Sequence, residues 1–227
     1  MRTYIATWIL ACAATIAAPA HAAEPAPVPW LLGFFDHHAK PVPACKAACA
    51  CTPGEAAVRD EYATVRIEAA RAAVEVAYDT SEAPLFRGKY GRARTALRLA
   101  TLSAHESGLV PATVHGCNPD RDGPACGPGQ VHPGPYGLRL TADRVVRCDK
   151  PGPGCLDATD LLADPVLMQR AMLHILRAGG LALYTGEGAQ EGEASLTIRE
   201  WEAGWWRSHP APAPDAEVLS ALAEGDD

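Results

Sequence analysis

The stretch RARTALRLATLSAHES, residues 92–107, followed by Gly108 and Leu109, decides how the chain is read. It has no Pro or Gly and is rich in Ala, Leu and Arg. Leu97, Leu99, Ala100, Leu102 and Ala104 supply apolar positions, so the pattern predicts a helix that Gly108 ends. His105, Glu106 and Ser107 then occupy its last turn. A carboxyl group there meets the negative end of the helix dipole, and an apolar cleft around it adds desolvation; both favour the protonated form. A carboxylic acid held protonated near neutral pH can act as a general acid. By itself a Glu before Ser-Gly reads as a solvated residue at a helix end, because Glu is mostly exposed, and alone the signal is weak.

Working outward, the run from Glu55 to Tyr78 also lacks Pro and Gly and interleaves Val58, Tyr62, Val65, Ala69 and Val76, which predicts a helix of several turns. Ala83-Pro84, Gly88 and Gly91 break it. Residues 110–157 are rich in Pro, Gly, Asp and Cys and read as a long irregular loop with one short strand around Leu138 to Leu140; such loops usually carry function. Asp164-Pro165 is an N-cap followed by Pro in the first turn, and Val166, Leu167, Met172, Leu173, Leu176 and Leu181 carry that helix on to Gly186 and Gly188. Gly179-Gly180 is a bend point. Residues 196–208 predict a last helix, with Trp201 and Trp205 spaced as a core pair or, alternatively, as a sugar-stacking platform. Before residue 55, a proline-rich segment with Trp30, Phe34, Phe35, His37 and His38 reads as an extended leader whose adjacent histidines are solvated rather than ligands. The expectation is one mostly α or α+β domain over residues 55–208. It is preceded by a Pro/Cys-rich leader (23–54) and followed by a mobile, acidic Pro/Ala-rich tail (209–227).

The 227 residues carry 20 basic and 27 acidic side chains, a formal net charge of −7, with no Lys/Arg-rich block, which argues against a general nucleic-acid binder. Nothing repeats at solenoid or propeller periods, and apolar runs are interrupted throughout. At the start, Arg2, the apolar run Tyr4 to Ala18 and Ala20-His21-Ala22 have the form of a signal peptide, so residues 1–22 are expected to be cleaved and the chain exported. An uncleaved anchor would be short for a bilayer, and a lipid-modified Cys12 would leave a very short apolar region. Cleavage leaves no integral membrane segment and an odd number of cysteines in an oxidising compartment, where disulfides are expected. Cys117 with Cys126 and Cys148 with Cys155 pair across short loops, each worth ~2.5 kcal/mol by chain entropy. Cys45, Cys49 and Cys51 allow one local bridge plus a free or intermolecular thiol. A zinc site is the alternative there, although the spacing matches no common zinc pattern.

Two further stretches follow Glu106-Ser107: Gly127-Pro128-Gly129-Gln130-Val131-His132-Pro133, and Ala182-Leu183-Tyr184-Thr185-Gly186-Glu187-Gly188. In order and context they resemble the soluble lytic transglycosylase and goose-type lysozyme family. Its catalytic domain carries Glu-Ser after a helix, then Gly-Leu-Met-Gln, then Ala-Tyr-Asn-x-Gly. The resemblance covers residues 55–208 and implies a lysozyme-like fold. Carried over, Glu106 falls on the acid/base, Ser107 on the residue that supports it, and Gly127 and Gln130 on the groove-lining motif. Pro128 and Gly129 stand where the family has Leu-Met. An ungapped alignment on Gly186 and Gly188 puts Leu183 and Tyr184 at the family's Tyr-Asn, whereas a shift by one restores Tyr184 to the tyrosine, a substrate-binding position. The family's later tyrosine has no clear match. The interval between Glu106 and Gln130 is long, as an insertion at the Cys117–Cys126 loop would make it.

The chemistry the resemblance implies needs one carboxyl group. The acid protonates the glycosidic oxygen and then, as carboxylate, takes a proton from the muramoyl 6-hydroxyl. The substrate's N-acetyl group assists, and the product is a 1,6-anhydro sugar. No metal and no cofactor is required. The partner is the glycan strand of peptidoglycan, the place periplasmic or secreted, with room for a protein partner in an envelope complex. A hydrolytic muramidase would want a second carboxylate; Asp120, Asp122 and Asp143 are candidates, although turn formation accounts for the first two. From a different class, a non-catalytic, disulfide-stapled peptidoglycan-binding protein fits the altered second and third motifs. The glycines at 127, 129 and 134 lie among prolines and make no nucleotide-binding fingerprint. Ser103 and Ser107 have no nucleophile-elbow context, so His105 is expected to pack or to line the groove.

Overall fold

In a computed structural model, the described residues are 26–45, 51–119, 124–141, 144–180, 193–213 and 215. They are mostly helical, in the order α1 (Pro27–His38), α2 (Pro53–Tyr78), α3 (Gly91–Ser107), α4 (Pro111–Val114), β1 (Cys117–Asn118), β2 (Ala125–Cys126), β3 (Leu138–Leu140), β4 (Val145–Arg147), α5 (Ala158–Ala163), α6 (Pro165–Ile175), a π-helical turn (Leu176–Gly180) and α7 (Glu193–Ser208). Among the described residues no helix is long and apolar enough to cross a membrane.

Helix α3 is buried along almost its whole length, from Gly91 to Ser107, and α1, α2, α6 and α7 pack around it. Small residues make this feasible: Ala69, Ala70, Ala73 and Ala77 of α2 and Ala93, Ala96, Ala100 and Ala104 of α3 are all buried. Polar side chains inside α3 return their hydroxyls to the preceding turn. Thr95 donates to Gly91 O (2.8 Å), Thr101 to Leu97 O (2.7 Å) and Ser103 to Leu99 O (3.0 Å), so no separate partner is needed for those donors. The Ser103 hydroxyl also accepts from Gln169 Nε2 of α6 at 3.0 Å. Gly108 ends the helix in the left-handed conformation (φ +61°), as the sequence predicts.

Helix α2 starts from a capping box in which Thr52 Oγ1 accepts from Glu55 N (3.3 Å) and Glu55 Oε2 accepts from Thr52 N (2.8 Å), with Pro53 in the first turn. Helix α6 starts as expected at Asp164, whose carboxylate accepts from Val166 N (2.9 Å) and Leu167 N (3.0 Å). The disulfides Cys117–Cys126 and Cys148–Cys155 form, and Cys45 pairs with Cys51; Cys49 lies outside the described residues. The expected strand at Leu138–Leu140 pairs antiparallel with β4, Arg139 opposite Val146, and the first disulfide ties β1 to β2.

The segment read as an extended leader is instead a core helix. Pro27 and Pro29 fall in the first turn of α1, where the missing N–H groups have no intrahelical acceptor to satisfy, so they do not oppose the helix. Leu31, Phe34 and Phe35 then share one face and are wholly buried, and His38 stacks on Trp201 with ring centroids 4.8 Å apart. Burial, and next the neighbouring His37, push the His38 imidazole below its ordinary pKa; His38 is partly buried, while His37 is exposed, as expected of a solvated histidine. The globular unit therefore begins near residue 27 rather than 55. Its other end also extends past 208: His209 stacks on Trp205, Pro212 is buried and Asp215 accepts from Arg92 N at 3.3 Å. Trp205 is 4 % exposed, the core role preferred for it over sugar stacking.

Candidate active site

The last turn of α3 opens onto a cleft of about 440 Å³. Leu102 and Glu106 come from α3, and Gly129, Gln130, Val131 and His132 from the turn after β2. The opposite wall is Leu138, Val145 and Arg147 of the β3–β4 hairpin, with Met172, Ile175, Leu176 and Ala178 of α6 and the π-helical turn. Two sequence stretches more than twenty residues apart thus meet at one place, and Glu106 is the only carboxylate among the described lining residues. Its side chain is 25 % exposed, and His105 Nδ1 approaches Glu106 Oε1 at 3.6 Å, beyond hydrogen-bond range. The His105 ring packs edge-on against Trp201, 5.9 Å between centroids, consistent with a packing role.

The other residues singled out divide into those that face the cleft and those that build it. Ser107 is buried; its hydroxyl donates to Ser103 O (2.7 Å) and accepts from Leu109 N (3.1 Å), so it fixes the chain just after Glu106 rather than entering the cleft. Leu109 continues that turn with φ +52° and is fully buried. Gly127 lies beneath the turn with φ +71°, pressed so closely on Met168 that a Cβ there would collide with it. Gln130 lines the cleft in the left-handed region (φ +47°), a conformation that costs a non-glycine residue about 1–2 kcal/mol. Its amide is held on both sides: Nε2 donates to Gly127 O (2.7 Å) and Oε1 accepts from Asn118 Nδ2 (2.8 Å). The turn is closed by Cys126 N–H to Val131 O and Val131 N–H to Cys126 O, both 2.8 Å. Tyr184, Gly186 and Gly188 lie outside the described residues, as do Asp120, Asp122 and Asp143.

Sequence reasoning missed the far wall. His132 was within reach, two residues after Gln130, but Arg147 carries no local signal; the bend read at Gly179-Gly180 falls in the π-helical turn, a form frequent at functional sites. That turn is held by a charged clamp. Arg177 Nη1 donates to Glu82 Oε2 (2.6 Å), His174 Nε2 lies 2.9 Å from Glu82 Oε1, and Arg170 donates to Asp79 Oδ2 (2.8 Å). Burial works against the Glu82 carboxylate, but the hydrogen bonds from His174 and Arg177 prevail and hold its pKa below the usual range. Asp79 is likewise held low, first by the Ser81 hydroxyl and then, against burial, by Ser81 N–H and Arg170.

Comparison with known protein families, with curated proteins and with solved structures finds no match to this chain. What the site can do therefore follows from its own chemistry. One partly exposed carboxyl group stands in a largely apolar cleft, beside a rigid polar turn and facing a wall that contributes one guanidinium. Such a cleft suits a ligand with apolar surface and a few polar anchors. Among the described residues no group of three or more His, Cys, Asp or Glu could hold a metal ion.

Proposed function

We propose that the chain is an exported enzyme of the lysozyme-like lytic transglycosylase type. It cleaves the glycan strand of peptidoglycan with Glu106 as the single acid/base. The observation that carries the reading is the meeting of Glu106 and Gln130 in one cleft, with no second carboxylate among its described lining residues. Single-carboxylate cleavage with internal attack by the sugar's own 6-hydroxyl needs no activated water and so no second acid. Glu106 first gives its proton to the glycosidic oxygen as the C–O bond breaks, and the resulting carboxylate takes the proton of the 6-hydroxyl as that oxygen closes on the anomeric carbon. The bulky pair of the family pattern is absent here. Instead, a Cβ on Gly129 would collide with Met172 of α6, whose side chain takes up that space. Substrate contact is assigned to the turn at Gln130, with Ser107 and Gly127 positioning the backbone on either side; Tyr184, outside the described residues, is added on the sequence resemblance alone. The three disulfides are compatible with export.

The test is digestion of isolated peptidoglycan by the purified, oxidised chain and by Glu106→Gln. The substitution is expected to lower product release by ~10² to 10⁴ while leaving thermal unfolding unchanged. Equal release by the variant would overturn the assignment of Glu106. A folded chain that bound glycan but released nothing would support the binding-protein alternative.

A further inference from the structure

The opposite end of α3 carries a second, larger cleft, of about 730 Å³, with chemistry unlike the first. Although the chain is acidic overall, this cleft gathers Arg87, Lys89, Arg94, Arg98, Arg199 and Arg207 against one carboxylate, Glu202. The cations come from two segments about a hundred residues apart, so no basic block marks them in the sequence. Glu202 is already committed: Arg98 Nε and Nη2 both donate to it, the second at 2.8 Å. Arg98 itself is only 4 % exposed, and its Nη1 has no hydrogen-bond partner among the described residues, a buried donor left without an acceptor in the wall of a cationic cleft. The aromatic walls are braced. Arg94 lies over the Phe86 ring at 4.4 Å, and Trp206 packs edge-on against both Trp30 (5.6 Å) and Tyr90 (5.9 Å).

We propose that this cleft binds an anion bearing two or more phosphoryl charges, with an apolar portion against Trp206 and Tyr90. A single carboxylate would be matched by one arginine; an excess of guanidinium forks around one pocket fits the several oxygens of phosphoryl groups, each able to accept paired N–H donors. Arg98, fixed by its two donations to Glu202, adds its charge from within the wall, and the exposed Arg94 and Arg207 supply the rim that meets the ligand. The site is independent of glycan cleavage, since Arg94 and Glu106 are separated by about 18 Å of helix. The ligand is either a soluble phosphorylated compound or the phosphate headgroup of a lipid.

Calorimetric titration of the full chain with inorganic pyrophosphate tests the shared chemistry. Saturable one-to-one binding is expected, weakened about tenfold or more in Arg94→Gln/Arg207→Gln. It should be unchanged in Arg144→Gln/Lys150→Gln, which removes the same charge elsewhere on the surface. Sedimentation with vesicles of equal cardiolipin, whose headgroup carries two phosphates, and phosphatidylcholine, against pure phosphatidylcholine, separates the sources. Loss of vesicle binding in the rim variant assigns a lipid headgroup, and pyrophosphate binding without vesicle binding assigns a soluble ligand. Absence of pyrophosphate binding, or equal weakening in the control variant, would overturn the proposal, as would binding confined to a single-stranded oligonucleotide.

Discussion

The two ends of α3 make an instructive contrast. At its C-terminal end a contiguous motif, His105-Glu106-Ser107-Gly108, delivers one carboxyl group to a largely apolar cleft. At its N-terminal end, cations scattered over residues 87–98 and 199–207 converge on an aromatic pocket. The first end is readable because helix termination, the acid and its backbone support are all local in sequence. The second exists only once α7 lies against α3, clamped by Arg98 and Glu202. Net charge and the absence of a basic block say nothing about a pocket assembled from two segments. The segment from α1 to Lys40 reaches both ends: Trp30 of α1 braces Trp206 beside the cationic cleft, and Lys40 N–H, just past the helix, donates to Gly108 O (3.0 Å) after the acidic one.

The strongest way to break this contrast is to exchange the variants between assays. Glu106→Gln is expected to remove glycan cleavage by ~10² to 10⁴ and leave pyrophosphate binding intact, because distant sites without shared partners behave independently. Loss of both functions without unfolding would mean the two clefts are one device. Next in size, Phe34→Ala removes a wholly buried ring from α1 and should cost about 3–5 kcal/mol in chemical denaturation. A cost near zero would restore the segment to a leader lying outside the core.

Smaller effects sharpen the account of the cleft wall. Glu82→Gln withdraws the carboxylate from Arg177 and His174 and should lower stability by about 2–3 kcal/mol at neutral pH. Because the folded state holds Glu82 and Asp79 below their ordinary values, their stabilisation is present above the unfolded carboxylate range and is lost as pH falls through the folded values. Acid titration of stability should therefore steepen below about pH 4 in the wild type and flatten in Glu82→Gln. The smallest effect is Thr52→Ala, which removes one half of the α2 capping box for about 1 kcal/mol; a larger loss would show that the α2 start supports more than its own first turn.

Much of the frame was legible because its signals are short-range. Gly108 as a helix stop, Asp164-Pro165 as a helix start, the strand at Leu138 and the two loop disulfides each rest on a few neighbouring residues. Helix α1 was hidden by its own prolines, whose density resembles a linker although their placement in the first turn is compatible with a helix. In the site, Glu106 and Gln130 were readable from their motifs. Arg147 was not, since the docking of a hairpin brings it to the cleft; Gly179-Gly180 marked a bend, but not the charge clamp from Glu82 that holds the π-helical turn. Ser107, expected as a support for the acid, bonds to the backbone at Ser103 and Leu109 and not into the cleft.

The central claim is that one carboxyl group, Glu106, cleaves the glycan without activating water. Mass spectrometry of the soluble products from isolated peptidoglycan tests it most directly. The account predicts muropeptides ending in 1,6-anhydro sugars from the oxidised wild-type chain and none from Glu106→Gln. Products with ordinary reducing ends, or anhydro products in equal yield from the variant, would contradict it.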